Sequence, residues 1–271
     1  KEQPEYMEVD EPLPWWKALR STLGNKAFII YVIASFMCTF MFAIAIGALF
    51  YLSDYVVQGS VFPLLAALFI PLALGVPVVG KVLEKLEPNP TWQIYLALSG
   101  LGFISLYFLP VNLLWVGLVI AGFGYSGVQV VNYIVLGQVI DEDEVRTGVR
   151  REGSFLGANA LITKPAQSLA IWLTAFILEV TLFVTAESNA GQLFLNQPES
   201  ALKGIRALVG LIPGSALVLG ALILFLFPIK GQYLKDMKRE MLAMHAAKHE
   251  RLLSQHPEAA VPAEVADEIV S

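Results

Sequence analysis

Charge is scarce in this chain. Asp, Glu, Lys and Arg make up 15% of its 271 residues, against about 25% in soluble domains. Four stretches, 27–53, 55–80, 88–140 and 207–229, hold none. Cysteine is nearly absent: Cys38 stands alone, which excludes a disulfide framework and marks a packing residue rather than a reactive thiol. The three histidines, His245, His249 and His256, all lie near the end of the chain. No HExxH pair, phosphate loop, dinucleotide fingerprint or serine–histidine arrangement occurs, so an enzyme lacks its parts. His245 and His249 are four apart on one helix face, but two such residues alone do not make a metal centre. No metal, cofactor or nucleic-acid partner is expected.

What the chain has in quantity is long apolar runs, with a mean hydropathy of +0.63. A bilayer core of about 30 Å takes about 20 apolar helical residues per crossing. The runs are continuous rather than short and alternating, which excludes a barrel. The pattern predicts an all-α, polytopic membrane protein with spans near 27–51, 60–80, 92–110, 112–140, 153–184 and 204–228. The third and fourth separate near Pro110. Six crossings place both ends on one side. That side carries fifteen Lys and Arg residues and the other only Lys203 and Arg206, so both termini are expected in the cytoplasm and the protein in the cell membrane.

The expected organisation is a cytoplasmic linker with an amphipathic segment at 1–26 and a six-helix transmembrane bundle at 27–229. A cytoplasmic amphipathic helix at 230–256 and a disordered tail at 257–271 follow. In the linker, Trp15, Trp16 and Leu19 beside Lys17, Arg20 and Lys26 suit the membrane interface. In the later helix, Leu234, Met237, Met241, Met244 and Leu252 fall broadly on one face, fit for the inner leaflet, for a partner or for neither. The fourth span is rich in small residues, Gly117, Gly122, Gly124, Ser126 and Gly127, which permit close helix approach. The chain opens on Lys1 rather than methionine, the expectation being a part of something longer.

One charge lies inside the fifth span. Lys164 falls about 18 Å along the helix from Glu152, near mid-membrane, where an ammonium costs roughly 2.5–3.5 kcal/mol or more unless it meets a cavity or a partner. The bland alternative is a side chain that reaches back to the interface. Pro165 frees a carbonyl beside it. Asn159, Thr163, Gln167 and Ser168 share its helix, and Tyr125, Gln129 and Tyr133 repeat at i, i+4, i+8 on the preceding one, with Asn132 beside them. Hydrogen bonds between helices would explain each alone. Together with Lys164 they predict a shared aqueous cavity. Upstream, 141–152 (DEDEVRTGVRRE) packs eight charged residues between two apolar spans, a charged hinge.

The segment VIDEDEVRTGVRREGSFLGANALITKP resembles the glycoside–pentoside–hexuronide:cation symporters, the melibiose-permease branch of the major facilitator superfamily. Asp141, Arg150 and Lys164 match that family's acidic helix end, loop arginine and membrane lysine. The LGNKAF segment at 23–28 and GIR at 204–206 are similar too. The resemblance implies the carboxy-terminal six-helix half of a twelve-helix symporter that works by alternating access. The coupling ion would be H+ or Na+ and the cargo a sugar or related small solute. Lys164 would lie near the cation and substrate sites, with Asn159, Thr163, Gln167, Gln129, Tyr125 and Tyr133 around it. Asp141, Glu142, Arg146, Arg150 and Arg151 would form the cytoplasmic gate. The family's sugar-stacking aromatic near Gln129 is displaced by a turn here, to Tyr125 and Tyr133. Its cation-binding aspartates belong to the other half, and Asp54 is no substitute. The implied partners are a small-molecule solute, the lipid bilayer and an amino-terminal six-helix half or second subunit. A lysolipid carrier of the same family and a non-transporting membrane scaffold are the alternatives.

Overall fold

The computed structural model describes residues 15–185 and 194–255. The linker at 1–14 and the tail at 256–271, His256 included, lie outside the described residues, as do the side chains of Trp15, Lys17, His249 and Leu252. Every described element is helical. A short α1 (Trp15–Leu23) leads into α2 (Lys26–Tyr51), and α3 (Phe62–Leu83), α4 (Pro88–Phe108), α5 (Leu114–Thr147) and α6 (Glu152–Val180) follow. Further along, α7 (Glu199–Arg206) runs through a π turn into α8 (Ile212–Ile223), and α9 (Gly231–Gln255) ends the described chain.

The boundaries have local causes. Asn25 caps α2, its side chain accepting from the Phe28 amide at 3.0 Å, which meets one of the four orphan donors at a helix start. Pro110 holds Leu109 extended and stops α4. Gly148, at φ 77°, turns the chain out of α5, a conformation that penalises any residue with a Cβ. The fourth span therefore continues past Ile140. The acidic run Asp141–Glu144 belongs to the last turns of α5, and only the residues around Gly148 form the hinge.

Five helical stretches are long and apolar enough to cross a membrane. The sixth long helix, α4, has 21 residues and no charge but more polar side chains. Its crossing follows from connectivity. Ser21 of α1 accepts from Arg151 at the start of α6, and Tyr233 of α9 donates to Glu142 in the last turns of α5. α1, α9 and the α5–α6 hinge therefore share one side, and the number of passes between α1 and α9 is even. The chain is thus a polytopic all-α membrane protein with a six-helix bundle.

Small residues set the packing. A Cβ at Gly124 would run into Ser99 of α4, and one at Gly122 into the Leu68 carbonyl of α3, so α5 touches both neighbours backbone to backbone. Ser99 also donates to the Ala121 carbonyl at 2.9 Å. In contrast, α3 and α6 bury only 22% of their most apolar windows. The bundle has an inside built around α2, α4, α5 and α8, and two helices with largely uncovered faces.

Candidate functional site

A cavity of about 400 Å³ opens between α2, α5 and α6, within the usual range for small-molecule sites. The α5 stripe supplies Tyr125, Gln129 and Tyr133, with Asn132 beside them, and α6 supplies Gln167. The opposite wall is α2, through Cys38, Thr39 and Phe42. The period of 3.6 residues puts 38 and 42 on one face. Phe42 lies flat on Tyr125, the rings 5.6 Å apart at 10°. Tyr125 is consequently buried, while Tyr133 is 68% exposed. The Asn132 Oδ1 atom is buried with no hydrogen-bond partner among the described residues.

Lys164 does not share this cavity, which corrects the sequence expectation. Its neighbours are Gly157, Leu161, Pro165 and Ser168 of its own helix, in a shallow groove on the outside of α6. Helical phase is the reason. The buried stripe of α6 runs through Phe155, Ala158, Thr163, Ala166 and Ala170. At roughly 100° per residue, Gln167 falls on its flank and Lys164 well round the helix. Thr163 and Asn159 do not line the cavity either. The Thr163 hydroxyl donates to the Asn159 carbonyl at 2.8 Å, and Asn159 Oδ1 is buried without a hydrogen-bond partner among the described residues. Of the seven residues expected around one solute, four meet, and Lys164 has no ion-pair partner among the described residues.

The charged end of α5 is a second, denser constellation. The Arg151 guanidinium grips Asp143, with Nη2 2.7 and 2.6 Å from the two carboxylate oxygens, and also donates to Ser21 Oγ of α1 at 2.9 Å. Arg150 Nη1 reaches Asp141 and Glu144, each at 3.0 Å. Glu144 Oε1 then meets His245 Nε2 and Lys248 Nζ of α9, both at 3.1 Å. Glu142 accepts from Asn25 Nδ2 at 2.8 Å and from the Tyr233 hydroxyl at 3.2 Å. Arg146, half exposed, stands 3.6 Å from Asp143. Burial pulls the Arg150 guanidinium down, yet its bonds to Glu144 and Asp141 prevail and hold it above its ordinary value. Burial, then the Glu142 carboxylate, pushes the Tyr233 phenol up.

The five expected gate residues are thus together, but the buried acids are two others, Asp143 and Glu144, exposed by 0% and 1%. The signal for them was present. The buried stripe Val131, Val135, Val139 continues four residues on to Asp143, and Leu136, Ile140 continues to Glu144. α9 folds back on α5, burying Leu234 and Met237, and His245 serves Glu144 rather than a metal. No group of three or more metal-ligating side chains occurs among the described residues. The resembling segments have structural duties: Asn25 caps α2, and Arg206 donates to the Leu109 carbonyl at 2.7 Å, at the end of α4.

A six-helix membrane bundle with a polar pocket between its spans and an ion-paired helix end defines a polytopic membrane protein. Residues 1–231 match the family model of MFS/sugar transport proteins, and the chain belongs to that family. An uncharacterized symporter of Synechocystis sp. is 28% identical over 89% of this chain and 45% of its own length. A glucuronide carrier protein homolog of Escherichia coli is 24% identical over 74% of this chain and 43% of its own. The chain therefore spans less than half the length of these curated relatives.

Proposed function

We propose that this chain is the carboxy-terminal half of a cation-coupled symporter that carries a sugar or related small solute by alternating access. The observation that carries the reading is the three-helix cavity, which is open on a bundle whose α3 and α6 faces are largely uncovered. Alternating access takes two bundles that rock about a site between them. A second six-helix half, in the same polypeptide or a separate subunit, would cover those faces and complete the site. Lys164, unpaired at membrane depth, is the cation that such a half would neutralise with a carboxylate. H+ or Na+ is the coupling ion, and the cell membrane the location, with both termini cytoplasmic on the strength of the Lys and Arg asymmetry.

The network of Asp141, Glu142, Arg146, Arg150 and Arg151, with Asp143 and Glu144 at its centre, serves as the cytoplasmic gate. Its pairs are desolvated when closed and hydrated when open, which lets them bias a two-state equilibrium. The scaffold alternative binds its partner through α9, and the engagement of His245 and Lys248 of α9 with Glu144 weighs against it. The test is uptake by the complete transporter in liposomes under an imposed Na+ or H+ gradient. Accumulation above the gradient-free level supports the proposal, and equal uptake under every gradient sinks it.

A further inference from the structure

We infer that α1 is a docking surface for the bilayer, where Arg20 and Lys26 hold the headgroup of an anionic phospholipid and tie the Arg151–Asp143 pair to the membrane surface. This surface is separate from the cavity and does not depend on what the protein carries.

The two faces of α1 have different duties. On one, Thr22 is fully buried, Leu19 leans on the core, and Ser21 Oγ accepts from Arg151 Nη1 at 2.9 Å. Trp16, Arg20 and Leu23, at i, i+4 and i+7, fall together on the roughly opposite side. Trp16 is 61% and Leu23 41% exposed, and Arg20 is exposed between them. Position decides what covers these side chains. Asn25, in extended conformation, breaks α1 from α2, and Lys26 begins the first span one residue later. The nine-residue α1 is too short to cross. It lies at the level where α2 enters the bilayer, the depth that tryptophan rings and amphipathic helices occupy.

Charge selects the lipid. Arg20 and Lys26 are exposed and have no ion-pair partner among the described residues. Lys26 opens α2 with no acidic residue in the first turn, where the helix macrodipole disfavours a cation and favours an anion. A headgroup phosphate there answers the guanidinium, the ammonium and the helix end together. Ser21 follows Arg20 directly and bonds Arg151, which grips Asp143. A headgroup held by Arg20 therefore steadies the α5–α6 hinge.

The test places the complete transporter in nanodiscs of phosphatidylcholine and phosphatidylglycerol, one or the other brominated near the top of its acyl chains. Trp16 emission is the difference between the wild type and Trp16→Phe. Both brominated lipids are expected to quench it, phosphatidylglycerol at about a threefold or more lower mole fraction. With Arg20→Gln and Lys26→Gln together, quenching should remain and the preference vanish, with the melting temperature unchanged. Raising salt to about 0.5 M should weaken the preference in the wild type. Amide exchange at 148–152 should be about twofold or more slower in phosphatidylglycerol, a difference that Ser21→Ala removes. Trp16 emission that neither brominated lipid quenches puts the face against protein or water and overturns the inference. Equal quenching by both lipids, or a preference that survives the double substitution, overturns the headgroup site. Hinge exchange that is the same in both lipids overturns its tie to the membrane surface.

Discussion

At the carboxyl end of α5, buried acids meet arginine, lysine and histidine at 2.6–3.1 Å. In the three-helix cavity, the neutral amides of Gln129 and Gln167 border open space. The first region is satisfied by the protein itself and draws α1, α5, the start of α6 and α9 together. The second is left for something else to satisfy. A buried charge tolerates no vacancy, whereas an amide facing a cavity can wait for a ligand. The contrast explains why the lock is saturated and the pocket is not.

The comparison is most exposed to Arg151→Ala. With its principal partner gone, buried Asp143 keeps only the distant Arg146, and the loss is expected to be about 3–5 kcal/mol. It would be read as a lower unfolding temperature in detergent, with Gln129→Ala as the control that stays near wild type yet lowers uptake. Equal melting temperatures for the two would erase the distinction. A packing variant comes next. Gly124→Val drives a side chain into Ser99 and should cost about 1–3 kcal/mol, whereas Gly137→Ala, with nothing within 4 Å, should be neutral or stabilising.

The double substitution of His245 and Lys248 by alanine is expected to be milder, about 1–3 kcal/mol, because Glu144 keeps Arg150. Its sharper readout is faster amide exchange across α9, and unchanged protection there would show that Leu234 and Met237 hold the helix unaided. Lys164→Ala should move stability least, since the side chain is exposed and unpaired in this half. In the complete transporter it should abolish coupled uptake with insertion intact. Wild-type gradient-driven uptake in that variant would remove Lys164 from the mechanism.

The family-like segment illustrates how far the chain could be read in one dimension. Asp141 and Arg150 were legible as partners, and they pair at 3.0 Å. Asp143 and Glu144 sit between them in the same string of acids. Only carrying the α5 helical period past Ile140 shows that they are the buried members. Lys164 was legible as a charge in an apolar run but not as one that faces away from Gln129, because that depends on which side of α6 meets α2. Phe42 was not legible at all. α2 is apolar on every side, and no periodicity marks the face that borders a cavity.

By itself the sequence determined the class, the crossings, the charge asymmetry and the existence of a charged end and a membrane lysine. These are set by the transfer of local segments between water and lipid, and each run of twenty residues carries that free energy alone. The tertiary structure alone decided that Lys164 lies outside the cavity, that α2 forms its second wall, and that α9 returns to meet Glu144. Those are matters of rotation and approach between helices, fixed by glycine contacts and by pairs up to 144 residues apart, which no single segment contains.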